Sequence, residues 1–307
     1  MKIGICPLFD NETELCESHI FPKFAYKDLR WNNQSKFVTR EQKCPPMQTG
    51  YKVPMLSRKA ENLFSKYENW FAQHIFRPFR NGELKKSVSY DERLYYFAAL
   101  QTWRGCLYAT RESGRDGFVE GLYDCLIGAM EEWKNYLVNG VMPPVYDTFY
   151  LMPLGKEHVR LPLFLEVEFY MRRIFEFNIM MSEAGNAVYC KLPSFIIWAP
   201  LGRQSQIDYG FKIMPEGGTF DFSNYEITDS EVIDYLLYKI DKTVEWRKHL
   251  ALTNPQKIKD IQAKMAADKE FQKSELAEIL SKPSLSEMQL SGEEFTILDQ
   301  GTLIEAC

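Results

Sequence analysis

The chain has 307 residues, 45% of them hydrophobic and 26% charged, with 21 Phe and 17 Tyr, a texture that excludes disorder over most of its length. No stretch nears the ~20 uninterrupted apolar residues of a membrane span, and the opening MKIGICPLFDNETE lacks the apolar core of a secretory signal, so a cytoplasmic protein with no membrane partner is expected. The net charge of −5 argues against a dedicated nucleic-acid coat, but it is uneven: residues 1–86 carry 15 Lys plus Arg against 9 Asp plus Glu, a balance of +6 that leaves −11 for the rest.

Seven cysteines, Cys6, Cys16, Cys44, Cys106, Cys125, Cys190 and Cys307, are scattered and contain no intact C-x-x-C pair. That is the usage of a reducing compartment, and no disulfide framework is expected. The length allows two domains on a prior of ~100–200 residues each.

Residues 1–55 are rich in Pro, Asn, Lys and Gly and read as loops and short strands. From Leu56 to about Ile75, Leu63, Phe64, Tyr67, Trp70, Phe71 and His74 recur at helical spacing, and Pro78 with Asn81-Gly82 is expected to end that helix. The aromatic stripe is that of a core face. Helices are predicted over about Asp91–Thr110 and Gly117–Val138, before the break at Pro143-Pro144. Between Val145 and Phe222 the texture is that of strands: VYDTFYLMPL, RRIFEFNIMMS, NAVYCKLPSFIIWAPL and YGFKIM, punctuated at Gly185-Asn186 and Gly217-Gly218. A helix resumes at Asp229, a good N-cap, and runs toward His249. Residues 255–281 read as one charged amphipathic helix, and the polar tail after Pro283 as mobile. The fold class is α+β: an N-terminal unit over 1–86, an α+β domain over 87–282 with a mixed or antiparallel sheet and C-terminal helices, and a tail over 283–307.

No phosphate-binding glycine loop, dinucleotide fingerprint or nucleophile elbow is present. Glu166, Glu168 and Glu176 fall in a strand-like stretch and read as a solvated face before an acidic site. His74, His158 and His249 read as structural. Lys23, Lys27, Arg30, Lys52, Arg58 and Lys59 are candidates for phosphate contacts, and each serves equally as solubilising charge.

The informative segments are ESHIFPKFAYK at 17–27 and QTGYKVPMLSRKAENLFSKYENWF at 48–71. Here the sequence resembles a bacterial HNH-endonuclease-like family with the pattern C-P-L-C-G, E-S-H-I-I-P-K-F, Q-D-G-x-K, L-L-C-x-x-C-E and F-S-K-Y-E. The resemblance covers roughly the first eighty residues and extends weakly to VYCKLPSFII. It implies a treble-clef, ββα-metal module at the N-terminus. The chain departs from the pattern where the family has its two C-x-x-C knuckles: Cys6 is kept, but Phe9, Ser57 and Ala60 occupy the other three places, and Thr49 replaces the Asp of Q-D-G. A tetrahedral zinc site needs four Cys or His ligands, so no structural zinc is expected and apolar packing must take its place.

By its matched place, the resemblance makes His19 the general base of HNH chemistry and Glu61 a ligand for one Mg²⁺ or Mn²⁺. Ser18 precedes the base where many HNH proteins carry an acid, so metal binding would rest on Glu61 with Glu17 or water. The function so implied is a metal-dependent nuclease acting on nucleic acid, DNA before RNA, of a kind linked to bacterial defence. The alternative is an inactive HNH-derived module that binds nucleic acid or a protein. A homo-oligomer or a protein partner is compatible with either.

Overall fold

The computed structural model describes residues 2–30, 50–84, 87–143, 149–158, 164–183, 185–202, 207–253 and 255–284. Strands β1 (Lys2–Cys6) and β2 (Asn11–His19) form an antiparallel hairpin in which Cys6 faces Asn11. β3 (Lys52–Ser57) pairs with the other side of β2, giving the order β1-β2-β3. The β2–β3 register shifts at Cys16/Glu17, where Pro54 faces Glu17. Proline has no N–H for the ladder, and the Ser18 hydroxyl mends the irregularity by accepting the Leu56 N–H at 3.1 Å. The short helix α1 (Lys23–Asp28) follows β2, and α2 (Arg58–Phe71) follows β3.

Pro78 does not stop the helix. After Phe71 the chain widens into a π-helical turn, Ala72–Phe76, and continues as α3 (Arg77–Arg80) up to the Asn81-Gly82 turn. Pro78 thereby falls in the first turn of α3, where a missing N–H costs little. The next helix, α4 (Glu92–Ser113), starts where expected, its Asp91 cap accepting the Arg93 N–H at 3.1 Å. Its residues from Leu94 to Leu107 are buried on every face, which makes it the central helix of the molecule. A 3₁₀ turn at Arg115–Gly117 and the left-handed Gly121 delay α5 (Leu122–Asn139) by five residues. Gly140, at φ 71°, ends it.

The larger sheet has the order β6-β7-β8-β5-β9 and is antiparallel throughout: β5 (Tyr150–Pro153), β6 (Glu176–Ser182), β7 (Gly185–Leu192), β8 (Phe195–Leu201) and β9 (Phe211–Lys212). Its two faces bury different cores. Val188, Cys190 and Ile197 join the N-terminal sheet, α4 and α5 in one apolar cluster. Tyr189, Ile196 and Trp198 join α6 (Leu165–Arg173) and α7 (Ser230–Thr253) in another. Burial on both sides is why β8 reads as an unbroken apolar run and why β7 carries Ala187 to Cys190 without a charged residue. A separate ribbon pairs β4 (Ser87–Tyr90) with β10 (Gly218–Asp221).

Two expectations are corrected. Glu166 and Glu168 lie on α6, and only Glu176 opens a strand. The run Leu165-Glu166-Val167-Glu168-Phe169 alternates with the period of a strand, but acids in the first turn and Arg172 and Arg173 in the last suit a helix dipole. Glu168 is fully buried against Arg172 at 2.8 Å, so it is no solvated face. The single C-terminal helix is also three: α8 (Pro255–Ala267), α9 (Lys269–Gln272) and α10 (Glu275–Leu280). Asp268 and Ser274 restart it by capping α9 and α10. The tail from residue 285, with Cys307, and residues 31–49, with Cys44 and Thr49, lie outside the described residues.

Two buried polar groups knit these layers together. Lys191, on β7, donates to the carbonyls of Met171, Ile174 and Leu192 at 3.1, 3.0 and 3.3 Å, closing the end of α6. His158 accepts the Gly155 N–H at Nδ1 (3.0 Å) and donates from Nε2 to the Phe222 carbonyl (2.7 Å), with its ring stacked on Phe79. It is structural, as the sequence suggests. No helix among the described residues is long and apolar enough to cross a membrane. Cys6, Cys16, Cys106, Cys125 and Cys190 are all free thiols.

Two outcomes are expected. Gly105 lies in α4 with the Phe177 ring 2.2 Å from where a Cβ would stand. Alanine for glycine in a helix ordinarily gains up to ~1 kcal/mol; here Gly105→Ala should instead cost ~1–3 kcal/mol by overpacking, read as a lower urea midpoint. Burial lowers the His158 pKa below its ordinary 6.5. The unfolded chain therefore takes up the proton first, so this contribution to stability is complete above about pH 6.5 and is lost as pH falls toward the lowered value. Urea midpoints measured from about pH 8 down to about pH 5 should show that loss, and His158→Gln should flatten it.

Candidate functional site

The four knuckle positions meet at one corner of the small sheet. Cys6 ends β1, and the turn after it directs the Phe9 and Asp10 N–H groups to the Cys6 carbonyl at 3.3 and 2.8 Å. Asp10 adopts φ 52°, the left-handed conformation that glycine takes most readily, and glycine is what the resembled C-P-L-C-G pattern has in that place. Its carboxylate reaches Lys134 on α5 at 2.7 Å. At the other side of the corner, Ser57 donates its N–H to the Cys6 sulfur at 3.4 Å, and its hydroxyl caps α2 through the Ala60 N–H at 3.2 Å. Cys6, Leu8 and Ala60 are fully buried. Lys59 lies over the Phe9 ring at 4.3 Å, a cation–π contact. One thiol, a hydroxyl already engaged as a cap, a phenyl ring and a methyl group do not make a zinc site.

His19 is the last residue of β2, half-buried, opposite Lys52 and with its ring centroid 6.2 Å from that of Tyr26. The chain leaving it is held on both sides: the Ile20 N–H donates to the Tyr51 carbonyl at 3.3 Å, and the Ile20 carbonyl accepts from Gln101 Nε2 at 3.1 Å. Gln101 Oε1 in turn accepts from Arg104 at 2.5 Å, and Arg104 pairs with Glu68 at 2.8 Å. A buried polar chain thus runs from α2 through α4 to the residue beside His19. Tyr26 packs on Phe175 (4.2 Å between centroids) and leaves no room for a side chain at Gly50, which sits at φ 81°. Gly50 is the glycine of the Q-T-G motif.

Sequence reasoning passed over Gln101 and Arg104, and met Glu68 only as the last residue of the F-S-K-Y-E motif. Helical periodicity marks the neighbours of Gln101 and Arg104 as core without saying that a polar chain threads through them.

Glu17 is exposed and two residues before His19 on β2, hence on the same face. Glu61 lies in the first turn of α2, with carboxylate Oε1 buried and without a hydrogen-bond partner among the described residues. His19 is level with the first residue of β3, whereas Glu61 follows its last by four. The strand between covers about 16 Å, although α2 does fold back over β2 and β3. Among the described residues no group of three or more His, Cys, Asp or Glu side chains gathers to hold a metal, so His19, Glu17 and Glu61 do not form a three-ligand set.

The six basic candidates divide. Lys23 and Lys27 are exposed one turn apart on α1, and Lys52 is exposed across from His19. Arg58 and Lys59 stand at the start of α2 beside the knuckle corner. Arg30 is drawn away from both groups into an arginine-lined cavity.

The corner should be indifferent to chelators: EDTA is expected to leave the melting temperature of the purified chain unchanged. Ser57→Ala, by removing the cap, should cost about 1 kcal/mol of stability. A steep loss of melting temperature in EDTA would show that a metal does hold the corner. No protein-family model, curated protein or solved structure matches the chain.

Proposed function

We propose that the chain is a metal-dependent nuclease of HNH type in which His19 is the general base. The observation that supports this is the double anchoring of the backbone at Ile20, which fixes His19 at the end of β2 with Glu17 on the same face and Lys52 across from it. A base must be held within hydrogen-bond reach of the water it deprotonates, and a strand end pinned from two sides does that. The imidazole would take the proton of the attacking water, while Lys52, Lys23 and Lys27 draw phosphates toward that edge. The orphaned carboxylate oxygen of Glu61, with Glu17, offers the hard oxygen donors that Mg²⁺ or Mn²⁺ prefers. Bound there, the cation would stabilise charge developing on the phosphate and the leaving oxygen.

A second reading, a module that binds nucleic acid or protein without cutting, is favoured by the lack of a three-ligand group among the described residues. Incubation with plasmid DNA and with RNA in Mn²⁺ or Mg²⁺ separates the two. The nuclease reading expects cleavage that His19→Ala lowers by at least ~100-fold, the lower range for loss of a general base. Equal residual cleavage by both proteins, or a mobility shift with no cleavage, would favour the binding module.

A further inference from the structure

A cavity of about 450 Å³ opens between the end of α1, α3, the last turn of α6 and the start of α10. Arg30, Arg77, Arg80, Arg172 and Arg173 line it, against only two carboxylates, Asp28 and Glu275. Asp28 is taken by Arg77 at 2.7 Å. Glu275 alone answers three guanidinium groups: Arg80, Arg172 at 3.0 Å and Arg173 at 3.3 Å. Arg172 also turns outward to Glu168 and Glu278, but these are matched in turn by Lys156 and Lys282. The lining therefore keeps an excess of three positive charges.

That excess is not what a purely structural ion-pair clamp needs. Arg30 Nε is buried with no hydrogen-bond partner among the described residues, a deficit that costs free energy unless a ligand meets it. Burial, together with the neighbouring Arg80 and Arg172, pulls the Arg173 pKa down to about 10 in spite of Glu275. Burial pushes the Glu275 carboxyl up, but the three guanidinium groups outweigh it and hold the pKa below the ordinary value. Meanwhile the forks are aimed: Arg80 donates to the Ser194 hydroxyl and the Arg172 carbonyl at 3.2 and 3.1 Å, and Arg173 to the Leu29 carbonyl at 2.8 Å. Crowded, oriented guanidinium groups with unmet positive charge suit phosphate oxygens, which they can bind two at a time. The volume is that of a small-molecule site.

We propose that this cavity binds a phosphate-bearing ligand of nucleotide size, its phosphate groups seated among Arg30, Arg77, Arg80 and Arg173. The phosphate belongs either to a free nucleotide or to the 5′-phosphorylated end of a nucleic-acid strand. The site stands whether or not His19 cuts.

Calorimetric titration of the full chain in about 0.1 M salt, with pyrophosphate, ATP and a short single-stranded oligonucleotide carrying either a 5′-phosphate or a 5′-hydroxyl, tests it. ATP or the 5′-phosphorylated strand should bind, and pyrophosphate should compete. Arg30→Gln and Arg77→Gln should each weaken binding ~10-fold or more, as expected for a lost charge-assisted hydrogen bond. Arg115→Gln, at an exposed pair with Asp124 far along the chain, should leave it within about 2-fold. Arg30→Gln breaks no hydrogen bond of Nε among the described residues, so this variant, its fold checked by circular dichroism, carries the test if Arg77→Gln is destabilised. Competition by ATP identifies a free nucleotide. A preference of ~10-fold or more for the 5′-phosphate that ATP does not relieve identifies a strand end. Failure of every probe to bind, or binding that Arg30→Gln leaves intact or Arg115→Gln weakens equally, overturns the proposal.

Discussion

The guanidinium of Arg104 has almost no access to water, and the relation of the small sheet to the rest of the molecule depends on it. It binds Glu68 on α2 and Gln101 on its own helix, and Gln101 reaches back to the strand exit at Ile20. Placing a charge there is costly in itself, and a buried ion pair often contributes little net stability. Its consequence lies in geometry. With either partner removed, an uncompensated charge would be stranded inside, a penalty of about 3–5 kcal/mol, so only one docking of α2 on α4 is tolerated. The apolar cluster around it, with Phe71 stacked on Phe97 at 4.0 Å and Phe64 against Trp103 at 6.2 Å, supplies the attraction without choosing the register.

The corner where Cys6, Phe9, Ser57 and Ala60 meet is held by several small forces acting together. A tetrahedral ion fixes four residues at once, whereas here a thiol acceptor, a helix cap and a buried methyl group each fix one or two. Each is weak alone. Together they hold the same two loop ends, and the strained Asp10 is anchored by Lys134 from α5. The N-terminal unit thereby leans on the helical body through one continuous apolar cluster.

What could be read in advance followed from how local its cause was. The start of α4 and the end of α5 are set within a few residues of the turns that border them, so a start at Asp91 and an end near Val138 were legible. The α+β class followed from the sheet runs, whose two-sided burial removed the polar alternation but not the turns. The helix α6 was hidden by a stretch alternating like a strand, because its choice was made by packing against α7 and by charges at its ends. Pro78 misled since a π turn, which no composition signals, shifted it to a harmless place. At the candidate site, His19, Glu61 and Gly50 were marked by short motifs, while Gln101 and Arg104 were not. The arginine cavity was out of reach for the same reason: Arg30 and Glu275 are 245 positions apart in the chain, and only folding makes them neighbours.

The lysine on β7 that closes α6 has an effect at a distance from itself. Its three donors grip the carbonyls of Met171, Ile174 and Leu192, immediately beneath Arg172 and Arg173. Those two arginines project from a helical turn whose main chain is clamped from the sheet side, so the point from which each side chain springs is fixed. The stiffness of that wall is thus inherited from the central sheet, and surface changes around the rim would leave its aim intact.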